Sequence, residues 1–217
     1  NEVERAHLRD LASPRAARRS GINEAAQNPD PGLLRVMTSL DHLPVLLLGY
    51  RGDVLAQNAL LRAVLGAGVE PGCSFPRFMF LDPTARQRIL NWIEFAQATI
   101  GALRRELGRR PHDHRLIALI DELRSEDHDA ARWWNDHGVR DYASVAKRIR
   151  HPRAGDLAFD IEILTAPQNP EQRLVIYTAE PDSRTARLLP LLASWTDDPA
   201  VNVPSTGPVR GGFQRSR

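Results

Sequence analysis

Short apolar runs and alternating apolar and polar positions together predict five strands in this chain. An apolar run at 44–49 is followed by glycine-containing turn residues and a second run at 54–57, which is the pattern of a β-hairpin. Three further alternating runs lie much later in the sequence, at 145–151, 157–164 and 173–179. Because short, proline-containing connections join these three runs, we expect them to pair as antiparallel neighbours.

Apolar positions at helical spacing predict a helical segment between the second and third strands. Asp82-Pro83 is a favourable helix start, and apolar residues then recur every three to four positions through 107, which predicts one helix of about seven turns. A second stripe at 116–123 predicts another helix, and residues 33–40 and 184–195 predict helices outside the insertion. The predicted fold is therefore α+β, a five-stranded antiparallel sheet with a helical insertion covering one face.

The two ends of the chain differ in composition from its middle. Residues 1–20 start with a short helical pattern, which we interpret as the end of a preceding domain, and residues 21–34 have the composition of a linker. Residues 196–217 are rich in proline, glycine and serine and predict a disordered tail. The sequence thus predicts one folded domain at 35–195.

Composition and charge narrow the class of protein. With 42% hydrophobic and 26% charged residues, the 217-residue chain can bury a core. No apolar run approaches the ~18 residues of a membrane span, and one cysteine with no signal-peptide pattern predicts a cytoplasmic protein without a membrane partner. The 29 basic residues, of which only Lys147 is a lysine, are interleaved with 27 acidic ones, which argues against DNA contact by most of the chain.

The sequence lacks the motifs of common catalytic and metal sites. It contains no Gly-x-Ser-x-Gly elbow and no phosphate-binding loop, and Cys73 lies in a loop without an activating neighbour. His112 and His114 are too close in sequence to share a helix face. We therefore expect no enzyme activity, no metal and no cofactor. The surplus of aromatic residues in the insertion predicts either an ordinary core or the wall of an apolar ligand cavity.

Six ordered motifs resemble the MmyB-like ligand-binding domain over about residues 35–195. They are Leu48-Gly-Tyr-Arg-Gly-Asp53-Val-Leu-Ala-Gln-Asn58; Phe80-Leu-Asp-Pro83 with Arg86 and Trp92; Ala102-Leu-Arg104; Trp134 with His137, Val139 and Arg140; Lys147 with His151-Pro152 and Gly155; and Arg173-Leu-Val-Ile-Tyr-Thr-Ala-Glu-Pro181. The resemblance implies a PAS-like sensor behind an N-terminal XRE-type helix-turn-helix domain in bacterial transcription regulators, and an association with a fatty acid. It also implies that residues 4–12 are the end of that DNA-binding domain.

The leading hypothesis is a ligand-sensing transcription regulator. Its PAS-like domain would bind a fatty acid or a similar acyl ligand, contact DNA through the N-terminal domain that is mostly absent from these residues, and form a homodimer. The alternative is a ligand-free module for dimerisation or protein interaction in the same type of regulator.

The candidate ligand-binding residues fall into two groups. A ligand carboxylate needs a polar partner, because a charge that is buried unpaired is costly. The candidate walls are Phe80, Trp92, Phe95, Trp134 and Phe159, and the candidate polar partners are Arg86, Arg104, Arg140 and Tyr177, with Asn58 as a neutral hydrogen-bonding group.

Overall fold

The structure, a computed structural model, describes residues 27–136 and 146–196. The predicted N-terminal helix and the predicted tail from 197 onward lie outside them. The described helices are α1 (Pro31–Ser39), α2 (Ala59–Leu65), α3 (Phe75–Leu81), α4 (Pro83–Arg88), α5 (Trp92–Arg109), α6 (His114–Glu126), α7 (His128–Asn135) and α8 (Arg184–Thr196). The strands are β1 (Val45–Leu48), β2 (Val54–Gln57), β3 (Lys147–His151), β4 (Gly155–Ala166) and β5 (Asn169–Thr178). No helix among the described residues combines the length and apolar composition of a membrane span.

The five strands form one antiparallel sheet in the order β2-β1-β5-β4-β3. The chain leaves the sheet at one edge after β2, forms the helices α2 to α7, and returns at the opposite edge as β3. It then folds back through β4 and β5, so that β5 pairs with β1. The predicted α+β fold, with its helical insertion between the second and third strands, is confirmed.

Each face of the sheet packs against helices. In β1, Leu46 and Leu48 belong to the core that the insertion covers, whereas Val45 and Leu47 belong to a second core on the opposite face. Leu33 of α1 packs into that second core. Because successive side chains of a strand point to opposite faces, β1 contributes to both cores at once.

The predicted seven-turn helix is wrong, because the chain breaks between α4 and α5. At the break, the backbone N–H of Leu90 donates to the carbonyl of Arg148 in β3 at 2.8 Å. The Asn91 side chain accepts from the N–H of Arg148 at 3.0 Å and donates to the carbonyl of Ala146 at 3.0 Å. These bonds to a distant strand replace the helical bonds that the local spacing predicts. The break therefore anchors the insertion to the start of β3.

The segment ahead of α1 is tied to the sheet by side-chain amides. Gln172 of β5, 2% exposed, accepts from the backbone N–H of Asp30 at 2.8 Å and donates to the carbonyl of Asn28 at 2.7 Å. Gln27 accepts from the backbone N–H of Tyr50 at 3.1 Å. Residues 27–30 are thus bonded both to β5 and to the turn that joins β1 to β2.

The turn between β1 and β2 depends on a glycine. Gly52 has a φ of 82°, and a Cβ at this position would lie 2.6 Å from Cδ of Pro76. Gly72 has a similar φ of 89°, but a Cβ there would meet no atom within 4 Å. A comparison of alanine substitutions at these two positions therefore distinguishes the effect of backbone strain from that of steric overlap.

We expect Gly52→Ala to lower the free energy of unfolding by about 2 kcal/mol or more, since it combines left-handed strain with a clash. Gly72→Ala is the matched control and should cost only about 1 kcal/mol from strain alone. Urea unfolding of both variants measures the difference. Equal losses would contradict a tight approach of the turn to α3.

Candidate ligand-binding cavity

An apolar cavity lies between the sheet and the insertion. With the solvent at its open side, it encloses about 690 Å³. The sheet contributes Leu46, Leu48, Lys147, Ile161, Ile163, Arg173, Val175 and Tyr177, and the insertion contributes Phe75, Pro76, Phe95, Thr99, Ala102 and Leu103. The turn after β1 contributes Tyr50, Arg51 and Gly52. Apart from a few polar groups this lining is apolar, which is typical of a small-molecule site.

Burial changes along the cavity from one end to the other. Tyr177 is 1% exposed and Lys147 is 2% exposed, whereas Ile163 is 43% exposed. Tyr177 and Arg173 are separated by four residues of β5, or about 13 Å at the rise of a strand. The cavity therefore has a closed end at Lys147 and Tyr177 and an open end towards Ile163 and Arg173.

Lys147 places an amine at the closed end among aromatic rings. Its Nζ lies 5.0 Å from the ring centroid of Phe95, 5.2 Å from that of Phe75 and 5.3 Å from that of Tyr177. Nζ donates one hydrogen bond, to the Tyr177 hydroxyl at 3.1 Å. Within residues 27–136 and 146–196, no carboxylate forms an ion pair with this amine. An ammonium has three donors, so two remain for another molecule.

Burial has a strong electrostatic effect on Lys147. Desolvation lowers the pKa of its amine from the ordinary 10.5 to about 7. The described residues that line the cavity include no aspartate or glutamate. Near neutral pH the amine is thus present in both forms, and an anion that entered the closed end would favour the charged one.

A buried polar network lies beside the cavity, at the turn between β1 and β2. The Tyr50 hydroxyl donates to the Asp113 carboxylate at 2.6 Å, and Arg51, 4% exposed, contacts the same carboxylate at 3.5 Å and Asp53 at 3.2 Å. Asp113 also caps α6, because it accepts from the backbone N–H of Leu116 at 3.0 Å. Burial and the bond to Asp113 raise the pKa of Tyr50. This network fixes the β1–β2 turn against the insertion.

Three of the predicted aromatic residues lie at or behind the closed end. Phe95 and Tyr177 line the cavity directly. Phe159 does not line it but packs edge-on against Tyr177, with ring centroids 5.7 Å apart. Phe95 and Tyr177, two of the predicted ligand-binding residues, thus lie in the lining, while Phe159 packs behind it.

The other predicted aromatic walls are not in the cavity lining. Phe80 and Trp92 pack with Trp133 in an aromatic cluster, with centroid distances from 5.6 to 6.4 Å. Trp92 also donates from Nε1 to the carbonyl of Met79 at 2.7 Å. Trp134 is half-buried at the edge of the same core. These rings pack against one another rather than around a vacancy.

Three of the other predicted polar partners, Arg86, Arg104 and Asn58, form their contacts outside the cavity lining. Arg86 pairs with Asp127 at 2.6 Å and Asp129 at 3.0 Å, and its guanidinium lies 3.7 Å from the ring centroid of Trp92.

Arg104 donates to backbone carbonyls at the end of α7, including that of Trp133 at 2.7 Å and that of Trp134. Asn58 caps α2 through the N–H of Leu61 at 3.0 Å and donates to the carbonyl of Leu43 at 2.6 Å. Arg140 lies outside the described residues.

Lys147 is the polar residue that the sequence-based list of ligand partners missed. Two signals could have found it. It is the only lysine of the chain, and in β3 it shares the period-two face of Ile149 and His151, which are both buried. The alternating pattern of β3 therefore predicts that the Lys147 side chain points towards the core. Tyr50 and Arg51 were also missed, because residues of a turn follow no regular period. Arg173 was missed although it shares the period-two face of Val175 and Tyr177 in β5.

The histidines near the start of α6 do not form a metal site with their neighbours. His112 and His114 are exposed, while Asp113 between them points into the buried network. No group of three or more metal-binding side chains occurs in the part of the chain that the structure describes.

Comparison with known proteins identifies one family. The model of the MmyB-like transcription regulator ligand binding domain matches residues 29–192. A search of curated proteins gave no match.

Proposed function

Because the chain belongs to the family of the MmyB-like transcription regulator ligand-binding domain, we propose that the described domain senses a fatty-acid-like ligand for a DNA-binding regulator. This family is a class of ligand-binding domains of transcription regulators and not a class of enzymes. In the proposal, the acyl chain lies in the apolar cavity with its carboxylate at Lys147. DNA is contacted by an N-terminal domain upstream of residue 27.

The observation that carries the proposal is a buried amine in an apolar cavity that has no acidic partner among the described residues. A cation is rarely buried unless it is paired, so Lys147 is suited to an anion that comes from outside the protein. A carboxylate would accept charge-assisted hydrogen bonds from Nζ and a bond from the Tyr177 hydroxyl. The apolar path from Lys147 towards Ile163 would cover the hydrocarbon chain.

Two shared strands connect the cavity to the segment that leads upstream. Leu46 of β1 and Val175 of β5 line the cavity, and their neighbours Val45 and Leu174 pack against α1 on the other face. A ligand that moves these strands would therefore also move α1. Regulation further requires that the ligand binds two conformations with unequal affinity.

The cavity favours ligand sensing over the alternative of a ligand-free interaction module. A domain that serves dimerisation alone does not require a cavity beside an amine that lacks an acidic partner in the part of the chain that the structure describes. A homodimer remains part of the proposal, since paired subunits would present two DNA-binding domains to one operator.

We expect wild-type protein to bind decanoate and Ala102→Trp to lose this binding. Ala102 lines the cavity from α5, and an indole ring would fill the space of the acyl chain. Decanoate at a hundred times its Kd should stabilise the wild type by about 2.7 kcal/mol, measured as a thermal shift, and the variant by almost nothing. Mass spectrometry of lipids extracted from denatured wild-type protein is the second measurement.

Ala118→Trp is the matched control, because Ala118 is an exposed residue of α6. It should respond to decanoate like the wild type. A shift of equal size in all three proteins would place binding outside the cavity. Absence of extracted lipid together with absence of any thermal shift in the wild type would reject the sensing proposal.

A further inference from the structure

We propose that Lys147 forms a covalent imine with an aliphatic aldehyde that enters the cavity. The inference rests on the proposed function only in that the cavity must admit an apolar chain. It extends the proposed ligand class from carboxylates, which are held by charge, to carbonyl compounds, which are held by a bond.

The geometry at the closed end suits a nucleophilic amine. Nζ is surrounded by the rings of Phe75, Phe95 and Tyr177 and is buried from solvent. In such a site, an amine that forms no ion pair with the described residues exists in part as the neutral form, which is the form that attacks a carbonyl carbon. The apolar surroundings also shield the product from hydrolysis.

The reaction balances without an oxidant or a reductant. The nitrogen lone pair of Lys147 adds to the carbonyl carbon, and a proton passes from nitrogen to oxygen to give a carbinolamine. The carbon–oxygen bond then breaks as the hydroxyl leaves with a second proton, and the carbon–nitrogen double bond forms. One amine and one aldehyde thus give one imine and one water. The Tyr177 hydroxyl, 3.1 Å from Nζ, is placed to relay these protons.

Charge at the cavity distinguishes the two ligand classes. The titratable or cationic groups in the lining besides Lys147 are Tyr177, Tyr50, Arg51 and Arg173, and none of the described lining residues is acidic. A carboxylate is held best by the ammonium, so its affinity should fall as the pH rises above about 7. Imine formation needs the neutral amine, so its rate should rise over the same interval.

Because the chain contains a single lysine, chemical modification of lysine side chains reports on Lys147 alone. Lys147 is the only lysine of the 217 residues, so the remaining primary amine is the N-terminal one. We would incubate the folded 217-residue protein with decanal, reduce with sodium cyanoborohydride, and measure the intact mass and the modified peptide. The expected result is one decyl group on Lys147. Decanoate should compete with the modification, and Lys147→Met should remove it.

Ala102→Trp and Ala118→Trp serve as matched variants here as well. The first should block modification of Lys147 and the second should leave it unchanged, while both should react equally at the N-terminus. Modification confined to the N-terminus of the wild type would overturn the inference. If decanoate still produced its thermal shift in that case, the proposed function would stand. If neither probe bound, both proposals would fall together.

Tyr177→Phe tests the proton relay. This variant keeps the ring beside Phe159 but removes the hydroxyl. It should therefore slow the modification of Lys147. A melting curve of each variant without ligand verifies that it folds. An unchanged rate in Tyr177→Phe would remove Tyr177 from the reaction and leave only the amine.

Discussion

Lys147→Met is expected to stabilise the empty protein and to abolish its preference for carboxylates. Methionine has a similar length and removes the cost of placing an ammonium in an apolar site. We expect a gain of about 2 kcal/mol near neutral pH, or a rise in Tm of roughly 4–8 °C for a domain of this size. Decanoate affinity should fall about a hundredfold, since the charge-assisted bond to the carboxylate is lost.

The stability difference should depend on pH in one direction. The folded-state pKa of Lys147, about 7, lies below the ordinary 10.5 that applies in the unfolded chain. Between these values the unfolded chain binds the additional proton, so wild-type stability falls as the pH falls from 10.5 towards 7. The advantage of Lys147→Met should therefore be small above pH 10.5, grow as the pH is lowered, and level off below about 7.

Arg150→Met is the control for the removal of a cation from the same strand. The Arg150 side chain is 62% exposed and pairs with Asp156 at the surface. Its replacement should change the free energy of unfolding by less than about 0.5 kcal/mol at any of these pH values. Chemical denaturation across the pH series provides the measurement. A loss of stability in Lys147→Met would show that the amine is satisfied in the empty protein, and would contradict the binding model.

Asp113→Ala is expected to cause the largest loss of stability, about 3 to 5 kcal/mol, because it removes the acidic partner of a buried network. Tyr50 and Arg51 would each lose a bond, and α6 would lose its cap. Tyr50 and Arg51 also line the cavity, so decanoate affinity should fall as well. Urea unfolding measures the first effect, and calorimetric titration measures the second.

Asp82→Ala separates capping from the network. Asp82 caps α4 by accepting from the N–H of Thr84 at 2.8 Å, and its loss should cost about 1 kcal/mol. If Asp113→Ala were no worse, the bonds to Tyr50 and Arg51 would contribute nothing beyond the cap.

The carboxylate of Asp113 also has a pH signature. Burial acts to raise its pKa, but the bonds from Tyr50 and the backbone, with Arg51, outweigh burial and lower the pKa below the ordinary 3.8. The stability from this carboxylate is therefore present above pH 3.8 and is lost as the pH falls below that value. Asp113→Ala should be less sensitive to acid over that range.

The fold was predictable because its signals are local. Two short apolar runs around a glycine-containing turn indicated β1 and β2, and alternation indicated β3, β4 and β5. The short connections after β3 and β4 favoured antiparallel pairing. The break before Trp92 was not predictable, since the spacing of apolar residues continues through it. Only the distant pairing of Leu90 with Arg148 interrupts the helix.

The candidate site was predictable only in part, because partner choice is a tertiary property. The aromatic surplus includes Phe95, which lines the cavity, but spacing could not show that Trp92 would pack with Trp133 instead. The contacts of the arginines also depend on residues that are distant in sequence. Arg86 has the chemistry of a carboxylate partner, yet Asp127, 41 residues later, already fills that role.

The alternation of side chains in the two central strands makes two properties separately adjustable by mutation. Leu46 of β1 and Val175 of β5 face the cavity, and their neighbours Leu47 and Leu174 face α1. Substitutions at the cavity-facing positions can therefore change which ligand binds while the contact with α1 stays constant. Substitutions at the positions that face α1 can change the response of α1 while the ligand stays the same. Homologous regulators could thus diversify their ligands and their responses independently within the positions at which β1 and β5 pair.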